Sequence, residues 1–184
     1  MGAGVIPFAV HETTVHFLFQ STFSGRKTGY LIDFGGGLGE GEGFRETAVR
    51  EFVEETETMY FSRDLQRACR EIDQVNAQIP IVEALFEKTL SQHPDWWCNR
   101  LHAKPWRTYF IEFPYRDVGS LNRAWEDDIH GRFKKRRQLK WVVADDLLDI
   151  YACKPERLWK RVRQLQQAED LIREIVSVKL QPLE

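Results

Sequence analysis

The chain has 184 residues, 42% of them hydrophobic and 29% charged, the balance of one soluble globular domain spanning 1–184; disordered, fibrous and low-complexity architectures are excluded. A formal net charge of -2 excludes a surface built wholly for nucleic acid, while leaving room for a local basic patch. Three widely spaced cysteines, Cys69, Cys98 and Cys153, form neither a disulfide framework nor a zinc motif, and no apolar run reaches the roughly 18 residues of a membrane span, so the expectation is a soluble, unprocessed, cytoplasmic protein with no membrane partner.

Residues 4–10 (GVIPFAV) and 14–20 (TVHFLFQ) are β-branched and aromatic runs separated by HETT, which predicts a β-hairpin. YLIDF predicts a third strand, and the following FGGGLGEGEG, with six glycines in ten residues, predicts an irregular turn. From Phe44 to about Thr56, FRETAVREFVEET lacks Gly and Pro and predicts a helix. Residues 64–78 and 81–92 carry apolar residues at helical spacing and predict two helices broken at Pro80. WRTYFIEF predicts a strand, and LKWVVADD another after the basic stretch 132–140. The remainder, from Pro155, predicts one long closing helix over about 155–178 with Leu158, Val162, Leu165, Ile172 and Ile175 on one stripe. The fold class is therefore α/β with a mixed sheet.

The segment REFVEE carries the chemistry. On a helix, Glu51 and Glu55 lie about 40° apart and Glu54 about 60° to the other side of Glu51, so three carboxylates share one face. Like charges four residues apart repel by a few tenths of a kcal/mol, whereas a divalent cation would reverse the sign. Hard Mg²⁺ takes oxygen ligands and commonly joins one or two carboxylates to substrate phosphates. Arg50 stands one turn before Glu54 and can pair with it. The plainer reading is a solvated acidic helix face. The glycines Gly35, Gly36 and Gly37 tip the balance, since they let backbone approach a ligand and offer a carbonyl to a metal.

Together these residues resemble the Nudix box, Gly-x5-Glu-x7-Arg-Glu-U-x-Glu-Glu-x-Gly-U, over residues 36–58. Gly36, Glu42, Arg50, Glu51, Phe52, Glu54 and Glu55 match at the required spacing; Glu57 and Thr58 depart from it, where the box has glycine and an aliphatic residue. The strands before the box and the last strand and helix also look like a Nudix domain, and residues about 62–95 look like a helical insertion. The resemblance implies a Nudix-type α/β/α sandwich and hydrolysis of a diphosphate linkage in a nucleoside diphosphate joined to another moiety, with Mg²⁺ or Mn²⁺. Carried over residue by residue, it implies metal ligation by Glu51, Glu54, Glu55 and the Gly35 carbonyl, with Glu42 and Arg50 in support. A base must take the proton of the attacking water. In this family it is a box glutamate, here Glu51 or Glu54, or an acidic residue of a later loop, here Glu126, Asp127 or Asp128, of which Glu126 is the candidate.

The dense basic run GRFKKRRQLK could clamp an anionic, nucleotide-like substrate, with Arg136 or Arg137 on its distal phosphates, or be a solvated loop. Trp96, Trp97, Trp106, Tyr109, Trp125 and Phe133 could stack on a base or simply fill the core. The histidines His11, His16, His93, His102 and His130 show no metal-ligand spacing. Two other functions stay open: a Nudix-fold sensor that binds nucleotide without turnover, and a pyrophosphohydrolase of RNA 5′ ends, which would bring nucleic acid in as a partner. An exposed apolar face on residues 64–92 would fit a homodimer.

Overall fold

The computed structural model describes residues 1–101 and 104–181; His102 lies outside them. The predicted hairpin forms from β1 (Gly2–His11) and β2 (Thr14–Thr22), in register from Phe8↔Phe17 to His11↔Thr14. The third strand, β3 (Phe34–Gly37), begins four residues later than expected and shares only Phe34 with the predicted YLIDF. Three glycines that read as a turn instead extend the sheet, with Gly4 opposite Gly35 and Gly2 opposite Gly37. The missing side chains are the reason: a Cβ on Gly35 would stand 2.4 Å from the Ala3 carbonyl oxygen, so only glycine fits this approach.

The box helix, α1, spans Phe44–Glu55. The expected helical pair is one helix, α2 (Ile72–Gln92), with Pro80 inside it, and residues 64–71 are not helical. An interior proline costs about 3 kcal/mol. Here Val75 and Gln78 before it and Val82 and Phe86 after it are all buried, and each large apolar side chain so covered returns about 2 kcal/mol. Next come β4 (Trp97–Asn99), which the sequence reading missed, β5 (Trp106–Glu112) and α3 (Gly119–Glu126). The last strand, β6, spans Arg137–Val143, and the ADD after it opens a helix, α4 (Ala144–Cys153), rather than continuing the strand.

The long closing helix is also broken. It comprises a 3₁₀ turn at Pro155–Arg157, a short α5 (Lys160–Arg163) and α6 (Ala168–Lys179). Backbone bonds elsewhere compete for the chain: Leu31 N–H donates to Arg157 O, Leu101 N–H to Gln164 O, and Gln166 N–H to Asn99 O. Gln167 then takes a left-handed φ of 58° before α6 starts.

The sheet order is β4-β5-β1-β2-β6, with β3 also on β1. β1 runs parallel to β5, and the other pairs are antiparallel, so the sheet is mixed as expected. Its alternating faces bury two cores. Val5, Leu18 and Ile111 pack with Phe52 of α1 and Phe86 of α2; Ile6, Phe17, Phe19 and Phe110 pack with Leu147 of α4 and Ile172 and Ile175 of α6. The predicted closing stripe, Leu158, Val162, Leu165, Ile172 and Ile175, all lies in this second core. Among the described residues, no helix is long and apolar enough to cross a membrane.

Candidate active site

The box begins in the turn between β3 and α1. Glu42 Oε2 accepts from Gly39 N–H at 2.9 Å and from the Thr47 hydroxyl at 2.8 Å. Arg50 grips the same carboxylate with two donors, Nε to Oε1 at 2.7 Å and Nη2 to Oε2 at 3.0 Å. This bidentate pair holds the Glu42 carboxyl well below its ordinary range, at about 2, with the Arg50 bond as the largest cause and the Thr47 and Gly39 bonds adding to it. The remaining Arg50 donors fan out to Gly37 O at 3.2 Å, Glu51 Oε1 at 2.9 Å and Glu54 Oε2 at 3.4 Å. Glu42 and Arg50, expected in support, are brought together with both glutamates.

Glu51 lies against the glycine strand. A Cβ on Gly36 would come within 2.3 Å of Glu51 Oε1, so the bare backbone is what admits the carboxylate. Burial raises the Glu51 pKa, and the charges of Glu55 and Glu54 add to the shift, against the lowering effect of Arg50. Glu55 is held from three sides: Gly35 N–H donates to its Oε2 at 2.8 Å, Gln20 Nε2 to the same oxygen at 2.6 Å, and Arg137 Nη2 faces Oε1 at 3.4 Å. Glu54 Oε2 also pairs closely with Arg70, from the segment before α2.

As the side chains stand, the box carboxylates face guanidinium groups, and no three acidic, His or Cys side chains among the described residues are set to hold a metal ion. The donor set nonetheless suits a hard cation. Its groups are all oxygens, Glu51 Oε2 and Glu54 Oε1 accept no bond among the described residues, and the mutual repulsion felt by Glu51 is what a dication would relieve. The Gly35 carbonyl already accepts from Arg161 Nη1 at 3.0 Å, and Arg161 Nε is fixed by the fully buried Asp33 at 2.6 Å. One lone pair of that oxygen is therefore taken. No sequence signal pointed to Arg161, Gln20 or Arg70, because each arrives from a distant segment through the fold, and Asp33, next to β3, gains its role only from Arg161.

Neither a family model nor a curated protein sequence matches the chain. Solved structures do. An Ap4A hydrolase of C. elegans, solved as a binary complex, superposes over 97% of this chain and 98% of its own at a TM-score of 0.51 and 13% identity. The fold is that of this Ap4A hydrolase. RenU, a Nudix hydrolase from M. smegmatis, covers 96% of this chain and 86% of its own at 0.47 and 13%.

On this fold the altered end of the box takes a definite shape. Thr58 N–H donates to Val53 O at 3.0 Å and Glu57 N–H to Glu54 O at 3.1 Å, the bond pattern of a Schellman motif. Glu57 sits where glycine is favoured, at φ 51°, and Thr58 follows at 60°. Two successive non-glycine residues thus hold the left-handed backbone that a helix-ending glycine ordinarily supplies. Thr58 exchanges bonds with the Cys69 backbone, its Oγ1 donating to Cys69 O at 3.0 Å and accepting from Cys69 N–H at 3.1 Å, and Gln78 Nε2 donates to Thr58 O at 2.5 Å. Glu57 is buried, and its Oε1 accepts from Lys135 N–H at 3.3 Å.

Glu126 ends α3, is exposed, and its side chain makes no hydrogen bond among the described residues. In the same WEDD run it is Asp128 that works locally, accepting from Arg132 N–H at 2.9 Å and Phe133 N–H at 3.0 Å. Arg137 is 5% exposed and bonds Gln20 and Glu55, whereas Arg136 is exposed. Of the aromatics offered for stacking, Trp96 and Trp125 are sealed in the core, and Tyr109 and Phe133 nearly so; Trp97 and Trp106 are covered by the guanidinium groups of Arg107 and Arg161.

Proposed function

We propose that the chain hydrolyses a diphosphate linkage in a nucleoside diphosphate derivative, with Mg²⁺ or Mn²⁺ held by Glu51, Glu54, Glu55 and the Gly35 carbonyl. The observation that carries this reading is the convergence of Glu51, Glu54 and Glu42 on one guanidinium, Arg50, beside glycine backbone that leaves room for the Glu51 carboxylate. A cation bound there would neutralise phosphate oxygens and acidify a water, so no covalent nucleophile is needed.

Arg50 orients Glu51 and Glu54, and Glu42 keeps Arg50 from turning away. Gln20 and Gly35 N–H fix Glu55 in one rotamer. The proton of the attacking water goes to a carboxylate, either a box glutamate, Glu51 or Glu54, that is not spent on the metal, or Glu126, the candidate outside the box.

Support comes from the fold shared with the C. elegans Ap4A hydrolase; a nucleotide with linked phosphates is the corresponding substrate class for this chain. The test is product analysis over a panel of nucleoside diphosphate derivatives with Mg²⁺ and Mn²⁺, alongside Glu54→Gln and Glu55→Gln. Loss of turnover in both variants is expected, and turnover that survives both contradicts the mechanism. One observation favours a second reading, a sensor that binds nucleotide without cutting it: Glu51, Glu54 and Glu55 each already face an arginine. Binding without turnover across the panel would decide for it.

A further inference from the structure

Beside Glu55 lies a cavity of about 560 Å³ lined by cations from two segments, Arg26 and Lys27 after β2 and Lys134, Lys135, Arg136 and Arg137 at the start of β6. Of these six cations only Arg137 has an acidic partner within salt-bridge reach among the described residues, namely Glu55. In a chain of net charge -2, five cations without a salt-bridge partner gather around one concavity with a single lining carboxylate, Glu55, and repel one another. Stability alone would disperse or pair them.

We propose that this cavity is an oligophosphate subsite, which takes the phosphates of a nucleotide beyond the linkage that is cut; the assignment rests on the hydrolase reading above. A single phosphate group offers too little charge for five cations, whereas a chain of three or more spreads anionic oxygens among them. The later basic segment is a built surface rather than a loose loop. Glu57 accepts from Lys135 N–H, Asp128 accepts from Arg132 and Phe133 N–H, and Phe133 is buried against Trp125. The backbone is thus fixed while the side chains of Lys134, Lys135 and Arg136 stay exposed, so ordering them on a ligand costs less than ordering a free segment. Arg137, 5% exposed, leaves its Nε without a partner, a donor of the kind that buried sites seldom leave unused. Phe23, 45% exposed at the rim, offers a ring face to whatever the phosphate chain carries.

The experiment is calorimetric titration of the full chain, without divalent metal, against inorganic tripolyphosphate, pyrophosphate and orthophosphate. Tripolyphosphate is expected to bind at least about tenfold more tightly than orthophosphate, and Lys134→Ala with Arg136→Ala to weaken it about tenfold. Arg173→Ala, a loss of positive charge on α6, should leave it unchanged. Equal, weak binding of all three anions overturns the subsite, as does a double variant that binds like the parent. Single-stranded RNA with a 5′ hydroxyl binding as tightly as tripolyphosphate overturns it in favour of a nucleic-acid groove. Tripolyphosphate binding with no turnover of any nucleotide leaves the subsite standing and removes the hydrolase reading; turnover with an unchanged KM in the double variant does the reverse.

Discussion

Arg50 Nε donates to Glu42 Oε1 at 2.7 Å, so the guanidinium that faces Glu51 and Glu54 is itself gripped from the turn before the helix. Two residues eight apart in sequence therefore set the rotamers of two more, and a change at Glu42 reaches the site without touching it.

Replacing Glu42 by Gln tests that linkage. A carboxyl held at about 2 instead of its ordinary 4.5 contributes stability that is complete above pH 4.5 and is lost as pH falls towards 2. Glu42→Gln is expected to lose about 2 kcal/mol at neutral pH and to show a flatter decline across that acid window. Urea unfolding at several pH values measures both. A variant whose pH curve runs parallel to that of the parent would remove the Arg50 bond as the cause.

The adjacent glycines separate stability from function. Gly35→Ala drives a Cβ against the Ala3 carbonyl at 2.4 Å, whereas Gly36→Ala meets only the end of the Glu51 side chain, and a Cβ on Gly37 meets nothing closer than 4.0 Å. Gly35→Ala should cost about 2 kcal/mol or more. Gly36→Ala should fold near normally while losing roughly a hundredfold in kcat, because Glu51 is displaced, and Gly37→Ala should resemble the parent. Thermal melts paired with turnover numbers give the comparison; equal losses of kcat in Gly36→Ala and Gly37→Ala would contradict it.

Arg70→Gln removes the guanidinium that competes for Glu54 Oε2. A metal then has less to displace, and Mn²⁺ should bind several-fold more tightly, about 1 kcal/mol. Titration of metal-free protein with Mn²⁺, followed by electron paramagnetic resonance, reads this directly. Weaker binding in the variant would mean that Arg70 holds Glu54 ready for the ion instead of competing with it.

Glu57→Gly restores the residue that a left-handed helix cap favours. With φ at 51° and Oε2 buried without a partner, the change is expected to raise stability by about 1 kcal/mol, although the bond to Lys135 is lost. The melting temperature decides; a fall would show that the anchor outweighs the strain.

What the sequence made legible is what repeats locally. The hairpin, the box helix and the two long strands carry their own periodicity, and Gly36, Glu42, Arg50, Glu51 and Glu54 lie within one turn and one helix, so spacing alone brought them together. Illegible were features decided across the fold. Glycines 35–37 became a strand because Gly2 and Gly4 on β1 let them approach. Pro80 stayed inside α2 because buried residues on both sides of it outweigh its lost bond. The closing helix broke where Asn99 and Leu101 took its backbone partners. Gln20, Arg70 and Arg161 reach the box from segments 35, 16 and 126 residues away from their partners Glu55, Glu54 and Gly35, beyond any local pattern.

The tie from Arg161 to Gly35 O and Asp33 also bears on the order of assembly. A nascent chain grows from its N-terminus, so the hairpin, the glycine strand and the box helix all emerge well before residue 161 does. Until then the buried Asp33 carboxylate has no counterion from that quarter, and the strand that cradles Glu51 lacks its outer strap. Competence at the carboxylate cluster should consequently lag behind collapse of the sheet during synthesis.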